Sequence, residues 1–248
     1  MEHAYFAQAD SLKQKLDALR PLPDWAIRQL KADMLVRFTY HSNAIEGNTL
    51  TIFETKAVLE DGIIVDGKSL REHLDVVGHA QAIRYLEELV NEKAPLTSRV
   101  LKELHNLILR GQDPENAGCY RRINVLISGA NHTQPSADLI PEAMEHFFDW
   151  YEKSARELHP LERAARVHAD FVNIHPFKDG NGRMARLIMN LEIMKAGYPT
   201  LILPVESRPS YYAALDRIAV QKDYEPFLKL IAELSVKSFV PYQHLLNF

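Results

Sequence analysis

The sequence is short of several residue types and patterns on which whole classes of protein depend. Among its 248 residues the one cysteine is Cys119, which excludes an internal disulfide and a cysteine-rich zinc site. No stretch approaches the ~18 uninterrupted apolar residues that a membrane-spanning helix requires. Residues 1–15 lack the basic start and apolar run of a secretory signal. We therefore expect a cytoplasmic protein without a membrane partner.

A strong charge of either sign is also missing. The chain has 29 lysines and arginines against 33 aspartates and glutamates, a formal net charge of −4, so it offers nucleic acid no long-range attraction. A hydrophobic fraction of 46% is ordinary for a globular protein and suffices for a substantial core. Because no repeat, linker or low-complexity segment interrupts the sequence, we expect one domain.

The hydrophobic periodicity is mostly helical. Ile27, Leu30, Met34 and Phe38 recur at spacings of three and four residues, which predicts a helix from near Asp24. Further helices are expected after a capping box at Thr51 and Glu54, over 69–91 and 97–109, from near 137 and 161, from 182 to 197, and over 209–220 and 224–246.

One segment departs from the helical pattern. Residues 123–127 (INVLI) are rich in β-branched side chains and lead into the turn signal SGAN. This change of pattern predicts a short β-hairpin over about 123–134. The fold class that follows is mainly α, a single helical domain with one short β-hairpin.

The segment 175–186 (HPFKDGNGRMAR) carries most of the chemistry. A helix is expected to end at His175, because the following proline disfavours α geometry in the residue before it. A loop with Gly180 and Gly182 follows, and a new helix begins at its end. Free backbone N–H groups and the positive end of the helix dipole make an anion site there. Glycines allow the backbone to approach a phosphate closely.

Charged residues surround this anion site. Arg183 and Arg186 lie three residues apart and share a helical face, so their guanidinium groups suit a polyphosphate. Asp179 is placed to hold Mg²⁺ through one carboxylate while phosphate oxygens and water complete the coordination. His175 is suited to take a proton from a hydroxyl at neutral pH. Each residue alone has an ordinary structural explanation, but the set at fixed offsets indicates nucleotide chemistry.

The same segment matches the signature HxFx[DE]GNGRxxR at every defined position, and the chain thereby resembles the Fic family. The resemblance implies a helical Fic fold that binds Mg·ATP and transfers AMP to a serine, threonine or tyrosine hydroxyl of a target protein, with self-modification expected. The related Doc branch is a kinase with lysine where this chain has Gly182, so glycine favours AMP transfer. The roles implied are general base for His175, Mg²⁺ ligand for Asp179, phosphate-binding loop for Gly180, Asn181 and Gly182, and binding of the outer phosphates for Arg183 and Arg186.

The resemblance also suggests functions for two regions outside this segment. The predicted hairpin would be the family's flap, which positions the target's backbone beside His175 by strand addition. Tyr211 and Tyr212 resemble a tyrosine pair that packs near the adenine. A purely structural hairpin and ordinary core or surface tyrosines are the alternatives. The flap residues that would line the nucleotide are Ile127, Ser128, Gly129 and Ala130.

A second family motif, [ST]xxxE[GN], is matched by residues 42–47 (SNAIEG). Ser42 and Glu46 lie four residues apart and share a helical face, and Gly47 ends the helix. A carboxylate facing Arg186 would satisfy that cation and occupy the place of the γ-phosphate, so Glu46 is expected to inhibit the enzyme.

Alternatives remain open at this point. Glu46 could instead position water to remove AMP from a modified protein, or the chain could be a non-catalytic module that senses nucleotide. Self-association is also compatible with the sequence. The expected organisation is an N-terminal helical region over 1–68 with the inhibitory motif, a Fic core over 69–220, and a C-terminal helix over 221–248 packed on that core.

Overall fold

The computed structural model describes residues 2–127 and 132–248, with side chains described from residue 4 onward, and these residues fold mainly into α-helices. The helices are α1 (Ala7–Ala18), α2 (Asp24–Ile45), α3 (Ile52–Asp61), α4 (Leu70–Asn91), α5 (Ser98–Leu109), α6 (Ile140–Lys153), α7 (Pro160–Ile174), α8 (Asn181–Lys195), α9 (Arg208–Gln221), α10 (Glu225–Lys237) and α11 (Val240–Leu246). Short 3-10 turns cover Glu2–Tyr5, Ala137–Leu139, Ala155–Glu157 and Val205–Ser207.

The helix starts follow local capping chemistry, as the sequence predicts. Thr51 caps α3 through the backbone N–H of Glu54, whose side chain accepts the Thr51 N–H in return. Ser69 and Glu72 form the same capping box at α4, and the Thr97 side chain caps α5. Because these caps satisfy backbone N–H groups that the helix cannot satisfy itself, the predicted starts of these three helices agree with the structure to within one or two residues.

The prediction of one helix over 224–246 is wrong. The segment forms two helices, α10 and α11, that are separated at Ser238 and Phe239. Pro241 lies in the first turn of α11. It has no N–H to bond back to an earlier carbonyl, so a continuous helix would be interrupted there.

The predicted hairpin is not supported either, since the described residues 121–127 and 132–136 form no strand. The side chain of Arg121 bonds the carbonyl oxygens of Ile123 (3.0 Å) and Pro135 (2.5 Å), and so joins the two ends of this loop. Ile123 and Leu126 are 56% and 90% exposed, whereas Val125 and Ile127 are half-buried. Residues 128–131 of the predicted hairpin lie outside the described part of the chain.

Helix α8 runs through the centre of the fold. It packs against α7 over its length and also against α4, α5 and α2. Its residues contribute to two apolar clusters: Met189 and Ile193 pack with α1, α7, α9 and α10, while Leu187 and Leu191 pack with α4, α5 and α6. Burial on all sides fixes the axis of α8, and with it the position of its N-terminus. Over the described residues, none of the helices combines the length and apolar character needed to cross a bilayer.

Several buried histidines surround α8. His79 of α4 and His168 of α7 are fully buried, and burial lowers the pKa of each well below its ordinary value. Burial also lowers the pKa of His105 of α5 to about 4. All three side chains are therefore neutral at pH 7.

These histidines predict that stability falls in mildly acidic solution. In the unfolded chain each imidazole takes up a proton around pH 6.5, whereas in the folded chain it does so only at a lower pH, which is about 4 for His105. The stabilisation is therefore present above about pH 6.5 and is lost as the pH falls. Each buried histidine should cost about 1 kcal/mol between about pH 6.5 and pH 5.5. Urea unfolding across this range measures the loss. A flat stability profile over that range would show that these histidines are not held neutral.

Candidate active site

The loop between α7 and α8 carries the predicted catalytic residues. His175 follows the last residue of α7 in the left-handed conformation (φ 53°, ψ 58°), and its N–H still donates to the carbonyl of Phe171 at 3.0 Å. A left-handed backbone is uncommon for residues other than glycine. It turns the chain away from the α7 axis, so the predicted helix end at His175 is confirmed.

Phe177 and His105 hold the middle of the loop. Phe177 is fully buried and stacks on the His105 ring, with centroids 3.6 Å apart and an angle of 4° between the rings. The N–H of Gly118 donates to Nδ1 of His105 at 2.8 Å. Nε2 of His105 therefore carries the proton and donates to the carbonyl of Asp179 at 3.0 Å. This histidine, which the sequence analysis missed, fixes the backbone of a predicted site residue.

Asn181 joins the two ends of the loop. Its side-chain oxygen accepts the N–H of Phe177 at 2.9 Å, and its NH₂ donates to the carbonyl of the same residue at 2.8 Å. The side chain of Asn181 is buried, and its oxygen and NH₂ group both bond Phe177. Asn181 would therefore bond a phosphate through its backbone N–H. Gly180 has φ 77°, and a Cβ there would press on Ile108 at 3.1 Å. The left-handed conformation favours glycine at this position, and a larger residue would also displace the Ile108 side chain.

Arg186 is the most deeply placed charge of the site. Its side chain is 1% exposed, and it reaches from α8 to the end of α2. Nε donates to Oγ of Ser42 at 2.9 Å, Nη2 donates to the carbonyl of Ser42 at 2.8 Å, and Nη2 bonds Oε1 of Glu46 at 2.7 Å. Burial opposes the charge of the guanidinium, but Glu46 and Tyr211 together raise its pKa above the ordinary value. Arg186 is therefore a permanent buried cation.

Glu46 lies directly over the first turn of α8. The residue caps α2, and its side chain is 37% exposed. A Cβ at Gly182 would overlap Oε1 of Glu46. The carboxylate thus occupies the open space above the glycine at the positive end of the helix, where the sequence predicts a phosphate. The predicted contact between Glu46 and Arg186 is present in the structure.

Arg183 is also buried, on the side of α8 that faces α4. It pairs through Nη1 with Asp75 of α4, and its Nη2 lies 3.8 Å from Oδ1 of Asp179. Gln112 donates to the same Asp75 oxygen at 2.6 Å. The sequence analysis missed Asp75 because it lies on a different helix, 108 residues from Arg183 along the chain.

Asp179 is half exposed at the mouth of the site. Its Oδ1 accepts the N–H of Gly180 at 2.6 Å, and its Oδ2 accepts from Arg71 of α4 at 2.8 Å. The described residues contain no cluster of three or more histidine, cysteine, aspartate or glutamate side chains that could hold a metal ion by themselves. A lone exposed carboxylate does fit Mg²⁺ that is shared with phosphate oxygens and water.

His175 lies beside these groups and is neutral. Burial lowers its pKa to about 4, an effect to which nearby Arg121 adds and which Glu46 and Asp179 oppose. The side chain of Arg121 donates from Nε to the carbonyl of His175 at 2.8 Å. This arginine, also missed from the sequence, therefore joins the loop between α7 and α8 to Ile123 and Pro135. A neutral imidazole can accept a proton.

Comparison with known proteins identifies the family. The Fic/DOC family model matches residues 95–193. Fic-1 from C. elegans is 34% identical, and the superposition covers 99% of this chain and 73% of that chain with a TM-score of 0.88. This chain belongs to the Fic/DOC family. A Fic domain containing signaling protein from Bacteroides thetaiotaomicron, 28% identical, superposes with a TM-score of 0.89 over 97% of both chains.

Several curated relatives of this Fic chain carry the same name. "Protein adenylyltransferase Fic" from Drosophila grimshawi is 38% identical over 235 residues, which is 94% of this chain and 48% of the relative. The protein of the same name from Aedes aegypti is 36% identical over 98% of this chain and 49% of the relative. The chain therefore spans about half the length of the curated relatives that it matches.

The remaining predicted contacts of the Fic site are placed as follows. Tyr211 is buried, and its hydroxyl lies 3.0 Å from Nε2 of His168. Tyr212 is 40% exposed, with Arg208 over its ring. Tyr212 is therefore the more accessible of the two predicted rings, whereas the buried Tyr211 raises the pKa of Arg186. Ile127 is half-buried, and Ser128, Gly129 and Ala130 lie outside the described residues.

Removing the Glu46 carboxylate should destabilise the Fic domain and increase the stabilisation that added anions give it. Glu46→Gly leaves Arg186 without its counter-charge. Because Glu46 is partly exposed, we expect a loss of about 1–2 kcal/mol, or about 2–8 °C in Tm. Tripolyphosphate should then raise the Tm of the variant more than that of the wild type, since the anion replaces the carboxylate.

Thermal unfolding with and without the anion measures both effects. Glu60→Gly is the matched control, because Glu60 forms an exposed pair with Lys56 at 3.7 Å on α3. Equal stabilisation of wild type, Glu46→Gly and Glu60→Gly by tripolyphosphate would contradict competition between Glu46 and phosphate.

Proposed function

We propose that this chain transfers AMP from ATP to a hydroxyl side chain of a target protein, and that Glu46 inhibits the transfer. The printed name of the curated relatives supports the reaction. The observation that supports it best is the buried Arg186 cation at the start of α8, with the Glu46 carboxylate in the place of an anion. The proposed partners are ATP and a protein that these residues do not identify.

The nucleotide would bind along the start of α8. The free N–H groups at that terminus and the helix dipole favour the α-phosphate, while Arg183 and Arg186 offer cations to the outer phosphates. Asp75 and Ser42 orient these two arginines. Asp179 would hold Mg²⁺ together with phosphate oxygens, and the ion would neutralise charge on the leaving pyrophosphate.

His175 would act as the general base. The attacking hydroxyl forms a bond from its oxygen to the α-phosphorus, the bond from that phosphorus to the bridging oxygen of pyrophosphate breaks, and the hydroxyl proton passes to the imidazole. Burial keeps the imidazole neutral. The hydrogen bond from Arg121 to the His175 carbonyl and the contacts of His105 and Asn181 hold the loop in place.

Inhibition follows from the same geometry. Glu46 and a γ-phosphate would compete for Nη2 of Arg186, so ATP that binds beside the carboxylate has its phosphates displaced. Misplacement of about 1 Å can cost about 10²-fold in rate. Ser42 does not compete, because its hydroxyl and carbonyl bond Arg186 from the α2 side. It would keep the guanidinium oriented after Glu46 leaves.

Labelled ATP tests this reaction. Wild type should transfer little label to itself or to added protein, Glu46→Gly should transfer about 10²-fold more because its phosphates can align, and Glu46→Gly with His175→Ala should transfer none. Intact-mass measurement of Glu46→Gly after incubation with Mg·ATP should show the addition of one AMP. If Glu46→Gly labels no better than wild type or Glu60→Gly, Glu46 is not inhibitory.

The low pKa of His175 predicts an unusual pH profile. A base with a pKa of about 4 is already neutral in mildly acidic solution, so its transfer step should not weaken near the ordinary histidine pKa of about 6.5. The measurement is the single-turnover rate of Glu46→Gly at saturating Mg·ATP between about pH 5.5 and pH 8. A roughly tenfold fall in rate centred near pH 6.5 would show that His175 is not desolvated in the working enzyme.

A further inference from the structure

Two helices meet beside the candidate active site through four charged side chains. Arg71 and Asp75 lie four residues apart on α4, and Asp179 and Arg183 lie four residues apart across the start of α8. Each pair presents its charges on one face. Arg71 bonds Asp179 at 2.8 Å, Asp75 bonds Arg183, and Arg183 lies 3.8 Å from Asp179. We call these four residues the charged quartet.

The inner and outer halves of the quartet differ in burial. The side chains of Arg183 and Asp75 are 4% and 14% exposed, and Gln112 also bonds Asp75. Breaking this pair would leave a buried charge without a partner, so it is a fixed contact. The side chains of Arg71 and Asp179 are 66% and 45% exposed. An exposed pair contributes little and can separate at small cost.

The outer pair involves the carboxylate that is proposed to hold Mg²⁺. Oδ1 of Asp179 already accepts the Gly180 N–H, and Oδ2 accepts from Arg71. A metal ion at Oδ2 would take the place of the guanidinium, and two cations on one carboxylate repel each other. The Arg71 bond and metal coordination at that oxygen therefore compete with each other.

Among the described cations around Asp179, Arg71 is the one that a metal ion could replace most easily. Arg183 is held by Asp75 on the other side of the carboxylate. Lys178 bonds Asp113 at 3.1 Å. Arg71, in contrast, lies on an exposed turn of α4 and has Asp179 as the partner in its hydrogen bond.

We propose that Arg71 is a positioning residue that holds the Asp179 carboxylate in place. When Mg²⁺ arrives with the nucleotide, the ion displaces the Arg71 guanidinium from that carboxylate. The inference rests on the proposed function, because it assigns Asp179 to the metal. Arg71 thereby sets how much Mg²⁺ the protein needs in order to bind ATP. It acts on metal affinity through the carboxylate and does not touch the reacting atoms.

The test measures binding of a non-hydrolysable ATP analogue at increasing Mg²⁺, by calorimetry, in the Glu46→Gly background. Arg71→Gln should lower the Mg²⁺ concentration for half-maximal binding by about two- to fivefold, the range expected for loss of one exposed ion pair. Arg71→Lys keeps the charge and should stay close to the parent. The difference between Arg71→Gln and the parent should shrink at high salt.

The Lys178→Gln variant distinguishes the effect of a direct bond to Asp179 from the effect of a nearby positive charge. It removes a positive charge next to Asp179 along the chain but no bond to that carboxylate. An Mg²⁺ requirement unchanged by Arg71→Gln would overturn the inference, and so would an equal effect of Lys178→Gln. Absence of analogue binding by Glu46→Gly at every Mg²⁺ concentration is a different result, because it would overturn the proposed function on which the inference rests.

Discussion

The buried guanidinium of Arg186 is the constraint around which the site is organised. A cation that is 1% exposed has lost its hydration and must find anionic or carbonyl partners within the protein. Ser42 supplies a hydroxyl and a carbonyl, and Glu46 supplies the negative charge. In a nucleotide complex a phosphate could supply that charge instead. The proposed inhibition and the proposed nucleotide binding therefore depend on the same physical requirement.

Around this cation, packing and hydrogen bonds hold α8 and the loop that precedes it in fixed positions. Helix α8 is packed on all sides, and Asn181, His105 and Arg121 fix the preceding loop through backbone hydrogen bonds. Glu46 is different because it caps α2 from outside the helix and is partly exposed. Its side chain can leave the site without unwinding α2, as the proposed inhibitory role requires.

The sequence predicts the parts of this structure that depend on residues close together along the chain. The capping boxes at Thr51 and Ser69 mark helix starts because the partners lie three residues apart. The segment from His175 to Arg186 indicates an anion site because the loop, the glycines and the new helix are contiguous. The contact of Glu46 with Arg186 was predicted from two motifs together, although 140 residues separate them.

Other features depend on packing that no local pattern reveals. Asp75 meets Arg183, and Arg71 meets Asp179, across 108 residues each. The β-branched residues after Arg122 suggested a strand, but Ile123 and Leu126 are exposed, and the Arg121 side chain bonds the carbonyls of Ile123 and Pro135. Propensity in that segment was thus overridden by its surroundings.

A crystal structure of Glu46→Gly with a non-hydrolysable ATP analogue and Mg²⁺ would test the competition for Arg186 most directly. The γ-phosphate should place an oxygen within about 3 Å of Nη2 of Arg186, where Glu46 now lies, while Ser42 keeps both of its bonds to the guanidinium. An analogue bound with its phosphates away from Arg186, or bound elsewhere on the protein, would contradict the shared site for carboxylate and phosphate.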